Sequence, residues 1–188
     1  MCSSDLADLT RLFVIEQFPA PPETLYVENF DDNPVGWTTG AGAGDTGTTV
    51  WELGTPSGGE GPGAAQSALN CYATNLDGPY GIDTEIWLRS PPIDLTGVGA
   101  ATLNYNEWRD IEVGFDSGKV TILDAADDSE IAEIADSIDA LVDPWELTSY
   151  PVPTAALGKM IKIEWRFAAD NINEFGGWHI DDVSVTVP

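Results

Sequence analysis

Two adjacent carboxylates, Asp181 and Asp182, lie in the last predicted strand of the chain, within the segment 176–187. Side chains on a strand alternate between faces, so Asp181 shares one face with Val183, whereas Asp182 shares the other with Trp178. Both faces are therefore partly apolar, which predicts a buried strand or a bulge near the two aspartates. Burying an unpaired carboxylate is costly, so each needs a cation or several hydrogen-bond donors. Because the chain has only 7 Lys and Arg, a metal ion is the expected partner.

A second group of acids comprises Glu107, Asp110 and Glu112, followed by Asp116. Acids on one face of a strand can serve as the nucleophile and the general acid of a glycoside hydrolase. Glu107 has the opposite parity to Asp110 and Glu112, however, unless a bulge intervenes. In a chain with 32 acidic residues such near matches arise by chance. A glycosidase is therefore the least favoured of the alternatives that we keep.

Other catalytic chemistries have less support. His179 is the only histidine, and no Ser or Cys lies in a Gly-x-Ser-x-Gly turn. Neither a His/Cys zinc site nor a glycine-rich phosphate loop can be assembled from the sequence. We predict that the protein is not an enzyme, and that His179 is a packing or surface residue.

The 7 tryptophans raise the alternative of a carbohydrate-binding module, because sugars stack on exposed aromatic faces. Four lie in predicted strands and are expected to fill the core, as aromatic residues in sandwiches usually do: Trp51, Trp87, Trp165 and Trp178. The other three, Trp37, Trp108 and Trp145, stand beside predicted loops. They are the candidates for a glycan-binding surface.

Composition limits the classes of partner. The 188 residues suit one domain with a short leader, and 43% of them are apolar, enough for a core. A formal charge of -25 repels nucleic acid and anionic membranes, and it suits divalent cations or a saline, extracellular setting. No apolar run is long enough to cross a membrane, and no signal peptide opens the sequence. Partners are therefore expected among neighbouring domains, glycans and cell-surface proteins.

Residues 1–23 are predicted to be a leader or linker, and residues 24–188 the folded domain. The first six residues, Met1 to Leu6, resemble the translated end of a sequencing adapter, which would make the chain a piece of a longer gene. The rival interpretation is a mature lipoprotein with its lipid on Cys2. On either interpretation native sequence upstream is missing.

Alternating segments with Gly and Pro turns between them predict an all-β fold, an antiparallel β-sandwich. The predicted strands are 25–30, 50–54, 69–74, 85–90, 100–109, 118–123, 130–135, 159–168 and 178–187. Residues 128–141 are compatible with a short helix, whereas the Gly-, Ala- and Thr-rich segment 38–49 predicts an exposed loop.

Five motifs in this order resemble the MAM-like jelly-roll domains attached to secreted bacterial proteins, including the accessory domains of immune-inhibitor-A-type metallopeptidases. They are Phe30 with Trp37, Trp51 to Gly54, Ala73 to Tyr80, Leu88 to Leu95, and Gly177 to Val183. The likeness covers about Thr24 to Val187. The segment 29–37 lacks the cysteines of animal MAM domains, which leaves the looser bacterial group.

The resemblance implies a jelly-roll sandwich, no catalytic centre, a structural calcium ion, and a role in adhesion, recognition or support of a neighbouring domain. By the same resemblance, the ligands of the calcium ion are Glu28 from the first strand and Asp181 and Asp182 from the last. The turn oxygens of Asn75 and Asp77 would complete its shell of six to eight oxygens. The alternative for Asn75 and Asp77 is a turn that caps itself.

Overall fold

The structure, a computed structural model, describes residues 21–188. The adapter-like segment, Cys2 and most of the predicted leader lie outside the described residues.

Every regular element of the described chain is a β-strand. In chain order the strands are β1 (Glu23–Glu28), β2 (Thr38–Ala41), β3 (Glu52–Gly54), β4 (Cys71–Ala73), β5 (Thr84–Arg89), β6 (Ile93–Asp94), β7 (Thr102–Ile111), β8 (Ser117–Asp124), β9 (Glu130–Ile138), β10 (Ala140–Pro151), β11 (Met160–Ala169) and β12 (Gly177–Val187). They form two six-stranded antiparallel sheets. The predicted all-β sandwich of jelly-roll type is confirmed.

The first sheet runs β10-β7-β12-β4-β3, with β1 also paired to β12. β12 changes partner along one edge: His179 and Ile180 pair with β4, and the stretch from Val183 onward pairs with β1. The register of β12 against β7 shifts between Asp181 and Ser184. A bulge therefore lies where β12 passes from one neighbour to the next.

The second sheet runs β2-β5-β11-β8-β9, with β6 also paired to β11. The inward side chains of both sheets form a single core in which aromatic rings meet edge to face or at a tilt. Trp165 is at its centre, with its ring centroid 5.6 Å from that of Tyr105 and 5.7 Å from that of Trp37. This packing, which is typical of sandwich cores, fixes the face that each strand turns inward.

Three expectations about local structure were wrong. Residues 128–141 form β9 and the start of β10 and not a helix, because β8 and β9 pair along most of that length. The segment 38–49, expected to be loop, begins with β2, which pairs with β5. Trp87 lies on the outer face of β5, between the core residues Ile86 and Leu88, so it does not fill the core.

Candidate functional site

The paired carboxylates lie at the bulge of β12, which is one of the two arrangements that the alternation of apolar residues predicted. Asp181 is 0% exposed on the outer face of the first sheet, and Asp182 has a positive φ of 50°. Glu28 lies on the neighbouring strand, where its Cα pairs with that of Val183. We call Glu28, Asp181 and Asp182 the bulge carboxylates.

Each of the four carboxylate oxygens of the two aspartates accepts a hydrogen bond from the protein. Asp181 Oδ2 accepts from the Ser67 backbone N–H at 3.0 Å, and Asp181 Oδ1 accepts from the Asp182 N–H at 2.7 Å. Asp182 accepts from Ser67 Oγ at 2.7 Å and from Asn106 Nδ2 at 3.1 Å. Glu28 Oε1 accepts from the Phe30 N–H at 2.9 Å. Ser67 belongs to the β3–β4 connection, so its two hydrogen bonds tie this loop to the bulge.

Burial nevertheless disfavours the charged form of Asp181. Desolvation raises the pKa of this carboxyl from 3.8 to about 7, against the opposing effect of the two N–H donors, and nearby Asp182 and Asp31 raise it further. A cation close to Asp181 would reverse the direction of this shift. The ionised form of Asp181 at the bulge therefore lowers the stability of the folded chain.

Asn75 and Asp77 lie elsewhere. They belong to the turn after β4, on the side of β4 away from Cys71, whereas Asp181 adjoins Cys71. Asn75 is four positions beyond Cys71, which corresponds to about 10–13 Å along an extended chain. Within the turn, Asn75 Oδ1 accepts from the Asp77 N–H at 3.0 Å, and Asn75 Nδ2 donates to the Pro79 carbonyl at 2.7 Å. The structure therefore does not bring this pair to the bulge carboxylates, and it shows the self-capped turn.

A different acidic cluster brings three carboxylates close enough together to share one metal ion. One oxygen from each of Glu112, Asp116 and Asp170 lies within 4.8 Å of the others, which no grouping of Glu28 with Asp181 and Asp182 achieves within the described chain. We call these three the loop-end carboxylates. Glu112 and Asp116 bracket the β7–β8 loop, and Asp170 follows β11. They could hold a metal ion.

Hydrogen bonds hold this cluster together but leave one oxygen without a partner. Asp116 is buried, and it accepts from Tyr80 Oη at 2.5 Å and from the Asp170 N–H at 2.7 Å. Glu112 Oε1 accepts from Asn173 Nδ2 at 2.5 Å, whereas Glu112 Oε2 is a buried atom with no donor in the described residues. No ion pair found between residues 21 and 188 involves these three acids. A metal ion could supply the partner that this oxygen lacks.

The acids considered for glycoside hydrolysis do not converge. Glu107 points into the sandwich, opposite Ile180 in the register of β7 and β12, and forms an ion pair with Arg109. It also accepts from Trp178 Nε1 and Thr148 Oγ1, each at 2.8 Å. Asp110 has the opposite parity on β7 and Glu112 belongs to the loop-end cluster, so the predicted mismatch of faces is present. Glu107 is a buried structural acid.

The three candidate tryptophans do not form an exposed platform. Trp37 is 8% exposed and packs in the core, and its indole N–H donates to Tyr26 Oη at 3.0 Å. Trp108 is 5% exposed, and its indole donates to Asp143 at 3.1 Å. Trp145 is half-buried and donates to the Ala64 carbonyl at 3.1 Å. Expecting exposed faces for Trp37 and Trp108 was wrong, because adjacency to a loop does not imply exposure.

His179 is a buried packing residue. Its imidazole lies 5.2 Å from the Trp108 ring and 6.3 Å from the Trp145 ring, edge to face in both cases, with Gly61 of the β3–β4 connection above it. Neither ring nitrogen has a hydrogen-bond partner in the described chain, and burial lowers the pKa of His179 to about 3. The imidazole is neutral throughout the physiological pH range, which argues against a role in proton transfer.

Sequence reasoning did not identify Asp116 and Asp170 as candidate metal ligands. They are 54 residues apart and meet only because the β7–β8 and β11–β12 loops close the same end of the sandwich. Tyr80 joins the same end, since its backbone N–H donates to the Phe175 carbonyl at 3.0 Å. The sequence does show that each of these acids stands immediately before or after an apolar strand. Many other acids of this chain have the same placement, so it does not single out Asp116 and Asp170.

Comparison with known sequences gives one relative and no family model that matches. The chain is 31% identical over 159 residues to Bacillopeptidase F of Bacillus subtilis (strain 168). The match covers 84% of this chain but spans only 10% of the length of that protein. It therefore relates this chain to one part of a much longer peptidase.

Solved structures show the same fold at low identity. The K3 adhesin domain of Lys-gingipain from Porphyromonas gingivalis W83 superposes with a TM-score of 0.57 at 18% identity, covering 88% of this chain and 99% of that one. A Stig cyclase from Fischerella sp. TAU superposes with a TM-score of 0.50 at 17% identity, covering 87% and 89% of the two chains. At these identities the likeness concerns the fold alone. An adhesin domain and a cyclase therefore share this sandwich.

None of the described residues forms a helix of the length and apolarity needed to span a membrane.

Proposed function

We propose that this chain is a non-catalytic accessory module of an extracellular bacterial protein, which serves recognition or adhesion or supports a neighbouring domain. The observation that carries the proposal is the match to a peptidase of which the aligned segment is only 10%. A segment of that size corresponds to one module beside a catalytic unit. The likeness of nearly the whole chain to an adhesin domain supports the same role.

The placement of the acids favours a non-catalytic role. Glycosidases hold two carboxyl groups roughly 5–10 Å apart across an accessible cleft. Here Glu107 is buried and paired with Arg109, and Asp110 faces the other way. The remaining acidic cluster is joined by internal hydrogen bonds to Tyr80 and Asn173, which suits a structural role.

We further propose that calcium stabilises the module and that the loop-end carboxylates, Glu112, Asp116 and Asp170, are its first ligands. Calcium prefers carboxylate and carbonyl oxygens. The three acids offer such oxygens, and within residues 21–188 one of these oxygens is buried without a donor and none of the three acids forms an ion pair. The ion would tie the β7–β8 loop to the β11–β12 loop. The bulge carboxylates, Glu28, Asp181 and Asp182, are the second location, supported by the buried charge of Asp181.

Thermal unfolding of the 188-residue chain in calcium and in chelator, at one fixed ionic strength, tests the calcium proposal. Calcium at about 100 times its dissociation constant adds about 2.7 kcal/mol, which raises Tm by about 5–10 °C for a chain of this size. We expect Asp170→Asn to remove most of this rise and the exposed control Asp77→Asn to keep it. An equal rise with sodium at matched ionic strength contradicts a specific ion.

Turnover assays test the non-catalytic role. A panel of peptides and polysaccharides incubated with the chain is expected to give no product. Turnover that disappears in Glu112→Gln but persists in Asp77→Asn would establish catalysis at the loop end and overturn the accessory role.

A further inference from the structure

The first and last strands place the two connections of this module at one end of the sandwich. Glu23 at the start of β1 pairs with Val187 at the close of β12, whereas Gly177 at the start of β12 pairs with Asp110 near the close of β7. β12 has 11 residues, so about 30 Å of extended strand separates the two ends. In the longer polypeptide proposed above, neighbouring modules connect at the first of these ends. We call the opposite end, where the loop-end carboxylates lie, the distal end.

Exposed apolar side chains from three loops project at the distal end. Val113 and Phe115 of the β7–β8 loop are 64% and 68% exposed. Ile172 of the β11–β12 loop is 68% exposed, and Ile82 of the β4–β5 loop is 38% exposed. We call these four the distal apolar residues. Covering them with a partner would remove apolar surface from water, which favours association.

Hydrogen bonds hold the three loops side by side. The Asp170 N–H donates to Asp116 Oδ1 at 2.7 Å, and the Asp83 N–H donates to the Asp170 carbonyl at 2.7 Å. On each loop a distal apolar residue stands one or two positions from these bonds, so the three Cα atoms lie within about 18 Å of one another. A standard interface of about 800 Å² per partner is broader than this. One partner can therefore contact all three loops at once.

Acidic side chains outside the loop-end carboxylates flank the distal apolar residues. Asp83 and Glu174 are exposed, on the β4–β5 and β11–β12 loops. Glu174 Oε1 lies 3.7 Å from the position of a Cβ atom on Gly81, and Asp139 Oδ2 accepts from the Gly114 N–H at 2.9 Å. None of these three acids forms an ion pair within residues 21–188. Their charges attract a basic partner and oppose an acidic one.

We propose that the distal end binds a basic segment of a partner protein that also carries apolar side chains. The distal apolar residues pack against the apolar side chains of that segment, and Asp83, Asp139 and Glu174 attract its lysine or arginine side chains. An anionic lipid surface suits the apolar residues but is repelled by these acids, so a protein segment is favoured. The inference rests on the proposed recognition role, to which it adds a surface and a class of partner.

Binding of designed peptides to the 188-residue chain tests this surface. The probe has four repeats of Lys-Leu-Ser; one comparison peptide has Ser in place of every Leu, and a second has Glu in place of every Lys. Fluorescence anisotropy of the labelled peptides is followed at about 150 mM salt, which screens attraction between distant charges, and with calcium present. We expect the probe to bind at least about tenfold more tightly than the Leu-free peptide, and the Glu peptide not to bind.

A matched pair of apolar variants connects binding to the distal end. Phe115→Ser/Ile172→Ser removes two distal apolar residues and should weaken binding of the probe about tenfold or more. Val35→Ser/Leu147→Ser changes two side chains that are 80% and 66% exposed elsewhere on the surface, and it should leave the affinity unchanged. All four side chains are exposed, so both variants should fold as the parent does, which thermal unfolding checks.

A matched pair of charge variants separates local attraction from the overall charge of the chain. Asp83→Asn/Glu174→Gln should weaken binding of the probe about three- to tenfold. Asp32→Asn/Glu146→Gln removes the same charge at exposed positions away from the distal end and should change the affinity less than about twofold.

The inference is overturned if the probe binds no more tightly than the Leu-free peptide, or if Phe115→Ser/Ile172→Ser leaves its affinity unchanged. Binding of the chain to phosphatidylcholine vesicles that this variant abolishes, without binding of the probe, also overturns it and indicates a lipid surface. The calcium and turnover tests of the proposed function do not depend on these results. A chain that passes both of those tests but fails here keeps its accessory role and loses only this surface.

Discussion

Replacing Asp181 by asparagine isolates the cost of the buried charge in the β12 bulge. Asp181 is 0% exposed, and burial raises the pKa of its carboxyl from 3.8 to about 7. Ionising this group in the folded chain therefore costs about 4 kcal/mol at pH 7 relative to the unfolded chain. Asparagine has nearly the same shape and carries no charge. It accepts through one oxygen only, so one of the N–H donors of Ser67 and Asp182 loses its partner, at about 1–2 kcal/mol.

The net expectation is that Asp181→Asn is more stable than the parent chain by about 2–3 kcal/mol in chelator at pH 7. The sign follows from proton binding: the folded chain holds a proton on Asp181 more tightly than the unfolded chain does. The penalty is therefore absent below pH 3.8, grows as pH rises, and is complete above pH 7. The advantage of the variant should therefore vanish near pH 5, and near pH 4 the variant should be less stable than the parent by about 1 kcal/mol, because the cost of the lost hydrogen bond remains.

Urea unfolding of both chains at pH 4, 5.5, 7 and 8 measures this difference directly, with chelator present throughout. The exposed Asp77→Asn should change stability by less than about 0.5 kcal/mol at every pH and serves as the control. A variant that is no more stable than the parent at pH 7, or whose advantage is independent of pH, would refute the buried-charge argument. Repeating the series in calcium shows whether an ion at the bulge removes the advantage.

Three further changes test the packing around the candidate sites. Burial lowers the pKa of His179 from 6.5 to about 3, so the unfolded chain binds a proton at this residue before the folded chain does as pH falls below 6.5. The parent should therefore lose about 2–3 kcal/mol of its free energy of unfolding, relative to His179→Phe, between pH 7 and pH 4.5. Urea unfolding of both chains measures this difference. Glu107→Gln leaves Arg109 without its partner and should cost about 2–4 kcal/mol in thermal unfolding, against less than 1 kcal/mol for Glu85→Gln in an outer-face pair. Gly47→Ala should cost about 1–3 kcal/mol by the same assay, because its Cβ meets a carbonyl oxygen.

Most strands could be predicted because their apolar residues alternate, and the failure at 128–141 has a definite cause. Ile131, Ile134 and Ile138 are spaced by three and four residues, as on one face of a helix. The pairing of β8 with β9 contains three shifts of register, each of which changes the residue that faces inward. Bulges thus converted a strand pattern into one of helical appearance. A single sequence carries no separate signal for such shifts.

The bulge at Asp181 was one of two arrangements that the sequence predicted, since apolar residues lie on both faces of the strand. The structure has the bulge, which brings Trp178 and Ile180 into the core together with Val183 and Val185. The loop-end carboxylates follow no such rule. Asp116 and Asp170 belong to loops that meet only after β8 and β11 have paired, so their proximity is a property of the topology.

The acidity of the chain therefore has two separable physical consequences. Its 32 acidic side chains repel one another over distances of a Debye length, and any salt weakens that repulsion. The loop-end group differs because three of its oxygens lie within 4.8 Å of one another, and Glu112 Oε2 is buried without a donor among the described residues. One divalent ion can bridge such a group, whereas diffuse counterions cannot. If sodium stabilises the chain as much as calcium does, the effect comes from screening of the acidic surface. If only calcium stabilises the chain and Asp170→Asn removes the effect, it comes from an ion bound at the loop-end carboxylates.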